Sequence, residues 1–198
     1  MPVFYIIIIV VTVGIAAGLP LALLWKKPPD IPALCRTDAH DNDWRYIVIH
    51  HSATRGGSAG VFDDYHRNER GWKNGLGYHF VIGNGTQSGD GEIEVGQRWK
   101  RQLYGAHAGD GYFNRKGIGI CLVGNFEEDE GPSRKQLESL EKIIRYLSKQ
   151  YDIPLSRIIT HKDVRENHTV CPGKNFPLEE LRHRLRNIAS KDTVNTEV

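Results

Sequence analysis

Tyr46-Ile47-Val48-Ile49-His50-His51 is the stretch on which the reading of the fold turns. Its first four residues form a near-continuous apolar run, mostly β-branched and without polar alternation, the pattern of a short strand buried on both faces. Two imidazoles fall at its end. Similar runs recur at Gly77-Tyr78-His79-Phe80-Val81-Ile82, at Gly117 to Val123 and at Arg157-Ile158-Ile159-Thr160, the last followed directly by His161. The turn-rich segment Gly83 to Gly91 is expected to join the second run to an antiparallel partner around Ile93–Val95. Helical patterns alternate with these strands. Ser133 and Gln136 form a capping-box pair ahead of Leu137, Leu140, Ile143, Ile144 and Leu147, which recur on one helical face. Val61, Phe62 and Tyr65 predict a shorter helix after the first strand, and Leu178, Leu181, Leu185 and Ile188 a last one after Pro177. The expected fold is α/β, a mixed central sheet flanked by helices, with no internal repeat.

The chain has 198 residues, 39% hydrophobic and 25% charged, which suits one globular domain. Its formal net charge is +2, and the cluster Glu127-Glu128-Asp129-Glu130 offsets scattered basic residues. No concentrated basic face emerges, so nucleic acid is excluded as a partner. The amino-terminal segment differs from the rest: Val3 to Trp25 carries no charge and is followed by Lys26-Lys27-Pro28-Pro29. That length crosses a bilayer as a helix of roughly 20 apolar residues, and no basic residue precedes it as in a cleaved signal peptide. The division expected is a transmembrane anchor over 1–27, a Pro- and Asp-rich linker over 28–43, a folded domain over 44–190 and a polar, frayed tail over 191–198. Lys26 and Lys27 would place the domain in the cytoplasm by the positive-inside rule. A tether and linker suit instead a domain held at the outer, cell-wall face, which is the orientation expected here.

His161-Lys162-Asp163-Val164 is closed ten residues after its first member by Thr169-Val170-Cys171-Pro172-Gly173. This sets an imidazole and a thiolate where they can share a metal ion, and His50 is a third candidate ligand. Zinc accepts nitrogen and sulfur in a tetrahedral shell, and three protein ligands leave one corner open for hydrolytic chemistry.

Five segments in order then resemble one family: Ile49-His50-His51-Ser52-Ala53-Thr54, Gly77-Tyr78-His79-Phe80, Gly105-Ala106-His107-Ala108, Ile118 to Phe126, and the His161 to Gly173 segment. Over about Trp44 to Arg186 the chain resembles the zinc-dependent N-acetylmuramoyl-L-alanine amidases of the phage lysozyme and peptidoglycan-recognition-protein type. The resemblance implies a mixed sheet with helices on its faces, Zn2+ held by His50, His161 and Cys171, and a peptidoglycan or muropeptide substrate. It implies Tyr78 as the catalytic tyrosine and gives Thr169 the position where phage enzymes carry a lysine and many recognition proteins a threonine. It also implies that His107 and Asn114 line the substrate groove, with His107 in an exposed polar loop. A monomer is expected.

Strand alternation points His51 away from His50, so His51 is expected to be a packed or hydrogen-bonded neighbour and not a ligand. Asp163 has two readings, one orienting a ligand imidazole and one starting a loop. Cys121 reads as a small core hydrophobe, and Cys35 has no partner for a disulfide. Asn84-Gly85-Thr86 and Asn167-His168-Thr169 match glycosylation sequons that arise readily by chance. Two other functions stay in play: a module that binds muropeptide without cutting it, and a cytosolic-side amidase that recycles muropeptides. Binding modules of this family typically lose the cysteine ligand, and here Cys171 is kept.

Overall fold

The computed structural model describes residues 29–165 and 168–194. The anchor expected over 1–27 lies outside them, as do Asn167 of the second sequon and residues 195–198. Among the described residues no helix is long and apolar enough to cross a membrane.

Among the described residues five strands form one mixed sheet in the order β3-β2-β4-β1-β5, where β1 is Tyr46–His51, β2 Phe80–Ile82, β3 Ile93–Val95, β4 Gly117–Leu122 and β5 Ile158–Thr160. The pairs β1/β4, β1/β5 and β2/β4 are parallel, and β2/β3 is the antiparallel hairpin expected around Gly83 to Gly91. β2 is shorter than its apolar run suggested. Gly77, Tyr78 and His79 precede it, although the His79 N–H still donates to the Gly119 carbonyl.

The two faces of this sheet differ, and the difference follows from the register. Ile47, Ile49, Ile118, Ile120, Leu122, Phe80 and Ile82 belong to one large core, which α5 (Arg134–Gln150) covers with Leu137, Leu140, Ile143, Ile144 and Leu147. The Ser133–Gln136 capping box that starts α5 is present on both sides. On the opposite face the alternate positions are small or polar: Val48 pairs with Gly119, His50 with Cys121, and Cys121 with Val81. A second, smaller core of Leu76, Val81, Cys121 and Val123 forms there, with Phe62 and Tyr78 packed against it. Phe62 comes from α2 (Ala59–Asn68), the short helix expected after β1, none of whose residues is fully buried.

The folded unit begins well before Trp44. A short helix, α1 (Ile31–Cys35), buries Ile31 and Cys35 in the large core inside the segment expected to be a linker. Asp30 caps it by accepting from the Ala33 N–H, and Trp99 Nε1 donates to the Cys35 carbonyl. A five-residue helix is too short to display periodicity, so only its cap could have revealed it. Three further short helices, α3 (Gln97–Lys100), α4 (Gly111–Lys116) and α6 (His161–Val164), were likewise without a periodic signal. The last helix, α7 (Leu178–Val194), continues past Lys191, where the sequence suggested a frayed tail.

Candidate metal centre

Because β1 and β5 are parallel neighbours, their carboxyl ends lie on one edge of the sheet. His50 sits at the end of β1, and His161 is the first residue of α6, directly after Thr160 of β5. Asp163 Oδ2 accepts from both the N–H and the hydroxyl of Thr160, at 2.9 and 2.7 Å, closing a capping box on α6. Of the two readings for Asp163, the structure selects the one at the start of the turn. The segment then folds back, since the Lys162 N–H donates to the Cys171 carbonyl at 2.9 Å. This hydrogen bond is why residues ten apart in sequence stand side by side.

One ligand atom from each of His50, His161 and Cys171 lies within 4.8 Å of the other two. His50 Nδ1 and Cys171 Sγ are 3.8 Å apart, and the His50 and His161 rings are 4.6 Å apart. Tetrahedral zinc with bonds of about 2.0–2.3 Å sets its ligands roughly 3.3–3.8 Å from one another, so the His50–Cys171 spacing matches such an ion and His161 stands close enough to complete the set. The sharpest observation is His161 Nε2, a buried nitrogen with no hydrogen-bond partner among the described residues. Buried polar atoms are almost always paired, and an electron-pair acceptor between His50 and Cys171 supplies the missing partner.

The protonation states suit this. Burial, reinforced by neighbouring imidazoles, holds His50 well below its ordinary pKa, and burial also lowers His161. Both are neutral at pH 7 and carry a free lone pair. Burial pushes the Cys171 thiol up to about 12, opposed by the His51 N–H, which donates to Sγ at 3.3 Å. A thiol in that setting ionises when a cation joins it.

His51 turns to the other face as alternation requires. Its Nδ1 accepts from the Phe126 N–H at 3.1 Å, and its ring lies near Phe126 of the large core. Tyr78 crosses the small-residue face with its ring 5.2 Å from that of His50. Burial, with the thiols of Cys121 and Cys171 close by, holds its phenol well above the ordinary range, so it is a proton donor at neutral pH. Thr169 Oγ1 accepts from the Cys171 N–H at 3.2 Å, which leaves its hydroxyl hydrogen free. A groove of about 740 Å³ runs beside the segment, lined by Glu127, Lys162, Asp163, His168, Thr169, Val170 and Lys174.

His107 corrects the expectation of an exposed loop position. His107 is 7% exposed and points inward, with Nδ1 3.0 Å from His50 Nε2. Asn114 Oδ1 accepts from the N–H groups of His107 and Ala108, both at 2.9 Å. The His107 ring turns inward because Gly119 leaves an opening in the sheet face that a larger residue would fill.

Sequence reasoning missed the residues that hold Tyr78. The Leu76 N–H donates to Asp63 Oδ1 at 2.7 Å and the Gly77 N–H to His66 Nδ1 at 3.2 Å, both on α2. Arg98, 3% exposed, donates from Nε to the Leu76 carbonyl and from Nη1 to the Tyr104 carbonyl, each at 2.6 Å. The signal available was Asp63 and His66, three apart on a helix with little apolar surface to bury.

A mixed sheet with two imidazoles and a thiol at one edge, a phenol beside them and an open groove defines a candidate metal-dependent hydrolase. Comparison with known proteins makes the assignment specific. The chain belongs to the N-acetylmuramoyl-L-alanine amidase family, whose model matches residues 40–174. It is 35% identical to peptidoglycan-recognition protein LB of Drosophila melanogaster over 138 residues, 65% of this chain but only about half (54%) of that protein. It is 32% identical to the endolysin of Escherichia phage T7 over 143 residues, covering 69% of this chain and 82% of the endolysin. Among solved structures, the N-acetylmuramoyl-L-alanine amidase LysC from Clostridium intestinale URNW superposes with a TM-score of 0.62 at 36% identity, over 73% of this chain and 86% of that one.

Proposed function

We propose that this protein is a zinc-dependent N-acetylmuramoyl-L-alanine amidase that hydrolyses the amide between N-acetylmuramic acid and the L-alanine that starts the peptidoglycan stem peptide. The observation that carries the reading is the His50–His161–Cys171 cluster with its orphaned His161 Nε2, in a chain of an amidase family. Those three residues would hold the zinc, which when bound supplies a Lewis acid for the carbonyl and makes water a nucleophile at neutral pH. Tyr78, kept protonated by burial and with its ring 5.2 Å from that of His50, would turn its hydroxyl from Cys121 to the carbonyl oxygen as charge develops there and pass a proton toward the departing nitrogen. Asp63, His66 and Arg98 keep the backbone under Tyr78 fixed, so this donor is preorganised. Thr169 adds a second, uncharged donor through its free hydroxyl hydrogen. The groove along Thr169 and Lys162 receives the stem peptide.

The charge-free run Val3 to Trp25 supports a further element of this proposal, a membrane tether, and the outer face is proposed because the cell-wall substrate lies there. A reporter active on one side of the membrane only, fused after Val198, tests the orientation.

The decisive assay is mass spectrometry of products from defined muropeptides, with and without a chelator. Free stem peptide that disappears on chelation and returns with zinc is the expected result. Substrate retained intact in both conditions refutes catalysis and leaves a binding module.

A further inference from the structure

As a metal ligand His50 would bind through one ring nitrogen, and the state of the other decides whether that is possible. A neutral imidazole carries one proton, so it presents a lone pair at Nδ1 only when the proton sits on Nε2. His50 Nε2 lies 3.0 Å from His107 Nδ1, and His107 Nε2 lies 3.2 Å from the Gly117 carbonyl oxygen. The carbonyl can only accept. His107 Nε2 therefore carries the proton of that ring, and His107 Nδ1 is left as a bare acceptor. His50 Nε2–H donates into it, which leaves the lone pair of His50 Nδ1 on the side of Cys171 Sγ, 3.8 Å away.

The ring of His107 is held in one orientation by its seat. A Cβ added to Gly105 would stand 2.3 Å from His107 Cδ2, and one added to Gly119 would stand 2.5 Å from the same atom. Neither position can carry a side chain while the imidazole is there. Asn114 fixes the backbone beneath it through the His107 and Ala108 N–H groups. Turning the ring over would replace Nδ1 by a carbon and strand the His50 proton in a site with almost no solvent access.

We propose that His107 is a positioning residue that fixes the tautomer of His50, and through it the affinity for zinc, by relaying His50 to the backbone carbonyl of Gly117. The proposal rests on the metal-site reading above. Groups that accept the second N–H of a ligating histidine commonly contribute 10–100-fold in metal affinity.

Zinc affinity of the full chain, measured by competition with a chromophoric chelator, tests this with His107→Leu and His107→Asn. The leucine variant is expected to bind zinc about 10–100-fold more weakly. Asparagine places an amide oxygen near the position of Nδ1 and is expected to recover most of the loss. Equal affinity of the leucine variant and the parent overturns the proposal, and so does an asparagine variant as weak as the leucine one, which would assign the loss to packing. Nitrogen-15 NMR of the parent protein needs no variant: His50 is expected to be protonated at Nε2 with or without zinc, and protonation at Nδ1 in the zinc-free protein refutes the relay. Neither measurement uses a substrate. A protein that failed to cleave muropeptides could still pass both, and an active amidase could still fail them.

Discussion

The two faces of the sheet have been put to different uses. Toward α5, β1 and β4 present Ile47, Ile49, Ile118, Ile120 and Leu122, all fully buried among aliphatic neighbours. On the other face the same strands present Val48, His50, Gly119 and Cys121, and the volume that the small residues leave is filled by the His107 ring and by Tyr78. A strand with period-two alternation can thus carry stability on one side and chemistry on the other. Substitutions should separate in kind: those of the aliphatic residues under α5 cost stability and spare the active fraction, while those of the proposed metal ligands and Tyr78 on the opposite side cost function and spare the fold.

The largest effect is expected from Cys171→Ser. Losing the thiolate should abolish stoichiometric zinc and lower amidase activity by about 10³-fold or more, since a metal supplies several kcal/mol of transition-state stabilisation. The chelated variant should unfold close to the chelated parent, because no aliphatic packing is lost. Leu140→Ala is the opposite case. Leu140 is fully buried on α5, so truncation should cost about 2–5 kcal/mol in denaturant unfolding while activity per folded molecule stays near the parent value. If folded Leu140→Ala were as inactive as Cys171→Ser, the division between the faces would be wrong.

Acid should lower stability through His79, whose ring packs against Trp44 and Trp99 of the large core. His79 is fully buried, with Nδ1 accepting from the Gly119 N–H and Nε2 facing the Leu103 carbonyl, and burial lowers its pKa to about 4. The unfolded chain takes up this proton near pH 6.5, whereas the folded chain takes it up near 4. Between those values the unfolded state binds more protons, so stability falls as the pH drops through that window. The contribution is about 3 kcal/mol for the full shift. Urea titrations of chelated protein at pH 7 and pH 4.5 should show this loss together with those of the other buried imidazoles, His50, His107 and His161, and His79→Gln should reduce the total by about 3 kcal/mol. Tyr78→Phe should come next, lowering kcat by about 10²-fold at unchanged zinc content. Zinc lost together with activity in that variant would make Tyr78 structural.

Legibility in the sequence followed the same division. The β1 run and the face of α5 were readable because aliphatic packing leaves a periodic trace, and the two ends of the His161 to Cys171 segment were readable because their spacing suits one ion. The inward turn of His107 was not. It depends on Gly119, a residue on another element whose only contribution is the absence of a side chain. The clamp of Asp63, His66 and Arg98 under Tyr78 was hidden for a related reason: it works through backbone groups, which leave no residue pattern. α1 was hidden by its brevity.

Thr169 gives the smallest effect and the finest test, because the proposed function asks two things of its hydroxyl at once. Its oxygen accepts from the Cys171 N–H, so it shapes the turn that presents the thiol, and its hydrogen remains free for the substrate. One neutral hydrogen bond contributes about 0.5–1.5 kcal/mol, so Thr169→Val should lower kcat/KM by roughly 2–10-fold. Thr169→Ser keeps the hydroxyl and should restore it. The division of that loss is the informative part. A hydroxyl acting through the thiol turn should weaken zinc retention in step with activity, whereas one acting on the carbonyl oxygen should lower kcat in protein that stays fully loaded. With the oxygen already bonded to the Cys171 backbone, both losses are expected in the valine variant, and a variant with normal zinc affinity and reduced kcat would move Thr169 wholly to the substrate.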